Sequence, residues 1–233
     1  MKIIINGLGR IGKLVFRRLC DENLHGNIAL VNEKAGSTSD QEYFLRYDTV
    51  HGTWGDDLCF KNGCLNYKDH SIDVMTEGSI ENISFPKSEK FLVVDCTGVN
   101  KSEKLLEPYF KKKASYVLIS APIESSGVQN IVYGINHQSI DTSAYKIFTA
   151  ASCTTNCLAP IVKVLEENIG IEHGSITTIH NITNSQTIVD APKNNLRRSR
   201  SGINSLIPTT TGSARAISLI YPELKGRLNG HAV

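Results

Sequence analysis

The chain has 233 residues, and its 25 Lys and Arg residues exceed its 23 Asp and Glu residues by two, which gives a formal net charge of +2 at pH 7. A charge this close to zero argues against a dedicated nucleic-acid-binding protein, since such proteins are usually strongly basic. No apolar run approaches the roughly 18 residues of a membrane span, and the N-terminus lacks the long apolar region of a signal peptide. A content of 40% hydrophobic and 21% charged residues predicts a globular chain of one large domain or two small ones.

The six cysteines predict neither a disulfide framework nor a metal site. None of them stands in a C-x-x-C pair or at metal-ligand spacing with histidine, so no residue is assigned as a metal ligand. We expect reduced thiols and a cytoplasmic protein without membrane or nucleic-acid partners.

The first half of the chain alternates β-rich runs with helical runs. The predicted strands are Lys2–Asn6, Ile28–Asn32, Phe91–Asp95 and Tyr116–Ser120, the predicted helices are Arg10–Asn23 and Ser102–Lys113, and a hairpin is predicted at Leu58–Tyr67 around Asn62-Gly63. Strands that alternate with helices predict a doubly wound α/β domain, with a parallel sheet and right-handed crossovers.

The composition changes near residue 148, where small and hydroxyl residues become frequent. We therefore predict one domain over residues 1–150 and a second over residues 151–233. In the second domain a helix is predicted at Thr155–Asn168 and a strand at Ser175–Thr183. Gln186–Thr211 is a long polar segment, which is typical of either a functional loop or a disordered one.

A G-x-G-x-x-G motif lies at Gly7, Gly9 and Gly12, between the first predicted strand and helix. In that context the glycines allow a tight turn and a close approach of the backbone to a pyrophosphate, which the helix amides then face. Glu33 lies 21 residues beyond Gly12, where an acid accepts hydrogen bonds from ribose hydroxyls and repels a 2′-phosphate. The motif predicts a dinucleotide site that favours NAD over NADP.

Cys153 immediately precedes a predicted helix, and the positive end of a helix dipole favours the thiolate, which is the nucleophilic form. His180 follows 27 residues later on a predicted strand and is a candidate base and imidazolium partner. Cys157, one turn into the helix, is expected in the core. Ser and Thr clusters near both residues suit phosphate oxygens, although on spacing alone a structural cysteine and simple helix capping remain alternatives.

Taken together, these motifs resemble the phosphorylating glyceraldehyde-3-phosphate dehydrogenases. The matching stretches are INGLGRIGK at 5–13, YDTVHG at 47–52, DCTG at 95–98, ASCTTNCLAP at 151–160, HNITNSQ at 180–186, PTTTGSARA at 208–216 and PELKGRLNGHAV at 222–233. They extend over essentially the whole chain, and ASCTTNCLAP is highly specific.

The resemblance implies an NAD domain, a catalytic domain and a homotetramer. It implies that Cys153 attacks a phosphorylated aldehyde, that His180 removes the proton as hydride leaves, and that inorganic phosphate displaces the resulting thioester as an acyl phosphate. The implied cofactor residues are Gly7, Gly9, Arg10, Ile11, Gly12, Glu33, Thr97 and Ser120. The implied phosphate-binding residues are Ser152, Thr154, Thr211 and Gly212 for the attacking phosphate, with Thr183 and Arg198 for the other phosphate contacts.

Three positions depart from the family pattern. Glu33 stands where Asp is usual and Ala191 where NAD-preferring members often have Leu, so NADP stays open as a cofactor. Ser185 stands where Asp or Thr is usual. The pattern also continues past Val233 for on the order of 100 residues, so we expect a partial sequence of a longer enzyme. We expect the 233-residue chain, produced alone, to fold poorly and to show negligible enzymatic turnover.

Three alternatives remain at this point. The stretches HGSITTIHNITNSQTIVDAP and SLIPTTTGSARAI resemble the branch of the family associated with arsenate resistance, in which arsenate replaces phosphate. An erythrose-4-phosphate dehydrogenase shares the Cys–His pair and uses water as the acceptor. A truncated, non-catalytic NAD-binding protein is the third alternative.

Overall fold

The computed structural model describes residues 1–87, 90–183 and 185–233, so Asn184 of the predicted site motif at 180–186 lies outside the described residues. The chain forms two compact units. The first comprises Met1–Ile131 and Ser139–Ala151, and the second comprises Val132–Gln138 and Ser152–Val233. In the described part of the chain, no helix is both long enough and apolar enough to cross a membrane.

The first unit is built on a large sheet with helices on its faces. Its strands are β1 (Lys2–Asn6), β2 (Ile28–Asn32), β3 (Tyr47–Asp48), β4 (Gly52–Thr53), β5 (Leu58–Lys61), β6 (Cys64–Tyr67), β7 (His70–Met75), β8 (Phe91–Asp95), β9 (Ala114–Ile119), β10 (Val128–Asn130) and β11 (Ile147–Thr149). Its helices are α1 (Arg10–Asp21), α2 (Asp40–Arg46) and α3 (Glu103–Lys111).

The main sheet grows outward from β1 in both directions. Its order is β10-β11-β9-β8-β1-β2-β7-β6-β5, parallel from β10 to β7 and antiparallel from β7 to β5. This confirms the predicted doubly wound α/β fold. The strand order reverses beside β1, and a crevice at the carboxyl ends of the strands is the usual ligand site at such a point.

The two faces of β1 supply two separate cores. Ile4 packs with Val93 and Tyr109 on one face, whereas Ile5 packs with Phe16 of α1 on the other. Because side chains alternate along a strand, an unbroken apolar run is what a strand covered on both faces requires.

A buried polar network crosses the carboxyl ends of the central strands. The Asn6 side chain donates to the Tyr109 hydroxyl at 2.5 Å, and that hydroxyl donates to Asp95 at 2.8 Å. The Asn32 side chain donates to Asn6 at 2.7 Å. Burial, reinforced by the charge of Asp95, raises the pKa of Tyr109, so the hydroxyl stays protonated and keeps donating.

The substitution Tyr109→Phe is expected to destabilise the chain by about 1–3 kcal/mol, because the buried Asn6 side chain loses its acceptor and Asp95 loses one of its donors while the ring packing survives. Denaturant unfolding measures the loss. Tyr133→Phe is the matched control, since Tyr133 is 86% exposed. Equal stabilities for the two variants would show that the network contributes nothing.

The second unit contains α4 (Cys153–Asn168), a parallel pair of strands, β12 (Gly174–Thr178) and β13 (Leu228–Ala232), and α5 (Ser213–Ile220). Among its described residues, the polar segment between β12 and α5 contains a short 3₁₀ turn at Leu196–Ser199.

Two predictions for the second unit are wrong. The strand predicted to extend to Thr183 ends at Thr178, although the His180 amide still donates to the Val233 carbonyl at 2.8 Å. His180 therefore follows the strand. Cys157 is exposed, not part of the core, because the buried face of α4 carries Thr155 and Ala159 and Cys157 lies off that stripe.

Candidate active site

A cavity of about 320 Å³ lies in the first unit at the carboxyl ends of the central strands. Its lining includes the predicted residues Gly7, Gly9, Glu33 and Thr97. Its position at the reversal of strand order is that of the nucleotide sites in doubly wound folds.

The three glycines of the motif are needed for different reasons. Gly7 has a φ of +90°, which favours glycine. A Cβ on Gly12 would lie 1.8 Å from the carbonyl oxygen of Gly7, so helix and turn pack too closely for any side chain. Gly9 has an ordinary φ of −65° and no protein atom within 4 Å of a Cβ position. The backbone at Gly9 is therefore open on this side, which leaves room for a pyrophosphate to approach it closely.

The Glu33 carboxylate accepts hydrogen bonds from two backbone amides. One carboxylate oxygen accepts from the Leu8 amide at 2.7 Å, and the other accepts from the Ala35 amide at 2.9 Å. A carboxylate has about four acceptor positions, so two remain for ligand hydroxyls. Thr97 is held nearby, since its hydroxyl donates to Asp95 at 2.6 Å.

The other predicted cofactor residues, Arg10, Ile11, Gly12 and Ser120, lie outside the cavity lining. The Arg10 guanidinium makes two 3.0 Å bonds to Asp48, a fully buried carboxylate that also pairs with Lys13. Hydrogen bonds from Lys13 and from the His51 amide hold the pKa of Asp48 well below its usual range. Arg10 thus offers a ligand its backbone amide at the start of α1 more readily than its side chain.

Asn32 and Glu77 also line this cavity and were not predicted from the sequence. The Asn32 side chain accepts from the Glu77 amide at 2.8 Å and donates to the Glu77 carbonyl at 2.9 Å, which fixes the cavity wall. A polar residue at the end of the otherwise apolar strand β2 was the available signal.

Cys153 is the first residue of α4, two residues earlier than the predicted helix start. Ser152 caps the helix, and its hydroxyl accepts from the Thr155 amide at 3.1 Å. The Asn156 side chain donates to the Ser152 carbonyl at 2.8 Å and fixes the same turn. Cys153 therefore lies at the positive end of a 16-residue helix.

The Cys153 Sγ lies 3.2 Å from the Nε2 of His180. The Nδ1 of His180 is 2.6 Å from the carbonyl oxygen of Asn181, so Nδ1 carries a proton and Nε2 faces the sulfur. The Asn181 carbonyl thereby fixes the orientation of the imidazole ring.

The two groups shift each other's pKa. Partial burial by itself raises the pKa of the Cys153 thiol, but the hydrogen bond and charge of His180, together with bonds from Thr154, outweigh it, and the pKa lies below the usual value. The hydrogen bond with Cys153 raises the pKa of His180, with the Asn181 carbonyl adding to the effect. Both shifts favour a thiolate–imidazolium pair near neutral pH.

A second cavity of about 320 Å³ surrounds this pair within the second unit. It brings together the predicted residues Cys153, His180, Thr154, Thr183, Arg198 and Thr211. Ser152 and Gly212 lie outside the lining. They are the N-cap residues of α4 and α5. Thr178 and Gln186 also line the cavity and were not predicted, whereas Ser185, Thr209 and Thr210 belong to the hydroxyl clusters identified from the sequence and had no individual role assigned.

The lining of this cavity is suited to anions. Seven lining residues carry a hydroxyl, Arg198 supplies a positive charge, and no lining residue in the described chain is Asp or Glu. Hydroxyls and guanidinium groups donate well to phosphate oxygens. In residues 1–87, 90–183 and 185–233, no group of three or more His, Cys, Asp and Glu side chains could hold a metal ion.

Both units of the chain contain residues that match families of known proteins. The chain matches the family model described as "Glyceraldehyde 3-phosphate dehydrogenase, NAD binding domain" over residues 1–103 and the model of the C-terminal domain over residues 152–233. It is 42% identical to glyceraldehyde-3-phosphate dehydrogenase 3 of Nostoc sp. and 39% identical to glyceraldehyde-3-phosphate dehydrogenase of Geobacillus stearothermophilus. These alignments cover 100% of this chain, with 68% and 69% of the relatives.

Fold and matches together define a protein with a Rossmann-type dinucleotide-binding domain followed by a catalytic domain. The chain belongs to the glyceraldehyde-3-phosphate dehydrogenase family. This confirms the resemblance drawn from the motifs.

Proposed function

We propose that this protein oxidises glyceraldehyde 3-phosphate with NAD and transfers the acyl group to inorganic phosphate. The observation that carries the proposal is the 3.2 Å contact between Cys153 and His180 inside a cavity lined by hydroxyls and Arg198. A polarised thiolate beside anion-binding side chains suits an aldehyde that carries a phosphate.

In this proposal the Cys153 thiolate attacks the aldehyde carbon and forms a hemithioacetal. The backbone amide of Cys153, at the N-terminus of α4, stabilises the oxyanion, and the Nε2 of His180 takes the proton of the hemithioacetal hydroxyl as the C–H bond breaks. With the hydride passed to a bound dinucleotide, an acyl thioester is left on the sulfur. Phosphate oxygen then attacks the thioester carbon, the C–S bond breaks, and Cys153 leaves as the thiolate.

The hydroxyl-lined cavity supplies contacts for both phosphates. Thr183 and Arg198 are proposed for the substrate phosphate, and Thr154 and Thr211 for the attacking phosphate. Ser152 and Gly212 are proposed to contribute through the helix N-termini that they cap. Support comes from the hydroxyl-rich lining of the cavity and from the absence of Asp and Glu side chains among its described residues.

NAD is proposed to bind in the cavity of the first unit. When bound, it supplies the acceptor for hydride. The open face of Gly9, with Gly7 beside it, fits the pyrophosphate, and the free acceptor positions of Glu33 fit the ribose hydroxyls. Thr97 lines the same cavity, while Arg10, Ile11, Gly12 and Ser120 shape it through the backbone around it.

The substitution Glu33→Gln is expected to weaken NAD binding about tenfold and to move the preference toward NADP. Glutamine presents one oxygen, so either Leu8 or Ala35 loses its acceptor, and the repulsion of a 2′-phosphate disappears. Titrations with both dinucleotides give the ratio of dissociation constants. Glu107→Gln, an exposed position on α3, is the control. An unchanged ratio in the Glu33 variant would refute the assignment.

The acceptor is the part of the function that is simplest to test. Tetrahedral oxyanions of equal charge are alike to hydroxyl and guanidinium donors, so arsenate is proposed as a second acceptor. The experiment follows NADH formation from glyceraldehyde 3-phosphate by the protein as its own gene encodes it, with phosphate, with arsenate and with neither. We expect turnover with either anion and little without. Full turnover without an anion would instead indicate water as the acceptor, as in erythrose-4-phosphate dehydrogenases.

We also propose the family's homotetramer and a cytoplasmic location. Exposed apolar side chains in the polar segment, among them Leu196 at 82% and Leu206 at 81%, support assembly. The six free cysteines support a reducing compartment. Light scattering would test the assembly.

A further inference from the structure

We propose that Thr209 is a positioning residue that holds the Arg198 guanidinium toward the substrate's phosphate. The proposal rests on the proposed function and adds to it a specificity element that acts through Arg198. A guanidinium nitrogen of Arg198 donates to the Thr209 hydroxyl, and both residues line the cavity around Cys153.

Arg198 differs from the neighbouring Arg200 in its ion pairing. It lies in the 3₁₀ turn Leu196–Ser199, whose start is fixed by Asn195: the side chain of Asn195 accepts from the Arg197 amide at 3.0 Å. Arg200, two residues on, pairs with Asp190 at 2.7 Å. Arg198 has no such carboxylate partner among the described residues.

Thr209 itself is anchored by its backbone. Its amide donates to the Ala232 carbonyl at 2.8 Å, and the Ala232 amide donates back at 3.3 Å. Ile207, two residues earlier, is only 6% exposed. These bonds fix the backbone of Thr209 beside the last residue of β13, whereas Arg198 lies in the 3₁₀ turn of the segment between β12 and α5.

A neutral hydroxyl has an electrostatic advantage over a carboxylate as the hydrogen-bond partner of the Arg198 guanidinium. A carboxylate would orient the guanidinium but would also cancel much of its attraction for an anion. A hydroxyl accepts one of the five guanidinium N–H groups and leaves the full charge and the remaining donors for phosphate oxygens. Orientation without neutralisation is what a phosphate-recognising arginine requires.

The test compares two aldehydes in the protein as its own gene encodes it. Thr209→Val keeps the shape and removes the acceptor, so we expect the KM for glyceraldehyde 3-phosphate to rise about tenfold, with kcat within about twofold. The KM for glyceraldehyde, which has no phosphate, should not change. Thr209→Ser restores the hydroxyl and should restore the KM. Thr187→Val is the matched control, because the hydroxyl of Thr187 bonds to the Arg200 carbonyl, away from the cavity lining.

Two results would overturn the inference about Thr209. An unchanged KM for glyceraldehyde 3-phosphate in Thr209→Val overturns the inference. Equal losses with both aldehydes, not restored by Thr209→Ser, also overturn it, because they indicate a purely structural role. The alkylation rate of Cys153 verifies that each variant retains its site. Failure of the unsubstituted protein to oxidise either aldehyde would instead refute the proposed function.

Discussion

Replacing Cys153 with serine is expected to lower kcat by about 10⁴-fold or more, which is the largest effect of any substitution considered for this chain. A serine hydroxyl at the same helix N-terminus ionises far less readily than a thiol, so the nucleophile is lost. The thioester is lost with it, and phosphate has no activated acyl group to attack. Initial rates of NADH formation measure the effect.

Cys157→Ser is the matched control for that experiment. Cys157 is exposed on the same helix, one turn beyond Cys153, and makes no described contact with His180. We expect it to retain activity and to leave the fast-reacting thiol in place. A Cys157→Ser variant that is inactive, beside an active Cys153→Ser variant, would contradict the assignment of the nucleophile.

Replacing His180 with asparagine is expected to produce the second largest effect, a loss of about 10²–10⁴-fold in kcat. Asparagine cannot act as a base, and it removes the imidazolium that lowers the pKa of Cys153. The thiol pKa should therefore rise, so less thiolate is present at neutral pH. The midpoint of the pH profile for iodoacetamide alkylation should move to higher pH.

The reciprocal shift gives an independent check. Because Cys153 raises the pKa of His180, the Cys153→Ser variant should protonate His180 at lower pH than the unsubstituted protein does, which NMR titration of the imidazole can follow. Unchanged profiles in both variants would mean that the two groups are near each other without being coupled.

The parts of the fold that were predictable are those encoded locally. Continuous apolar runs such as Phe91–Asp95 identify strands buried on both faces, and the turn at Asn62-Gly63 identifies the hairpin. The short helix α2 and the strands β3, β4, β7, β10, β11 and β13 were missed. Each of these elements has only two to seven residues, and its pairing or packing partners, not local periodicity, decide its conformation.

The candidate site shows the same limit. The nucleophile and the glycine turn carry their own local signals, because a helix start and a tight turn need particular residues. Arg10 was assigned to the cofactor, yet its side chain pairs with Asp48, 38 residues away. Thr209 was passed over as one hydroxyl in a run of three, because its contact with Arg198 exists only in the folded chain.

Mass spectrometry of the protein after mixing with glyceraldehyde 3-phosphate and NAD in the absence of phosphate would show whether Cys153 carries the acyl intermediate. We expect a covalent acyl adduct confined to the peptide that contains Cys153, which disappears when phosphate is added. NADH formation without an adduct, or an adduct on another residue such as Cys157, would contradict it.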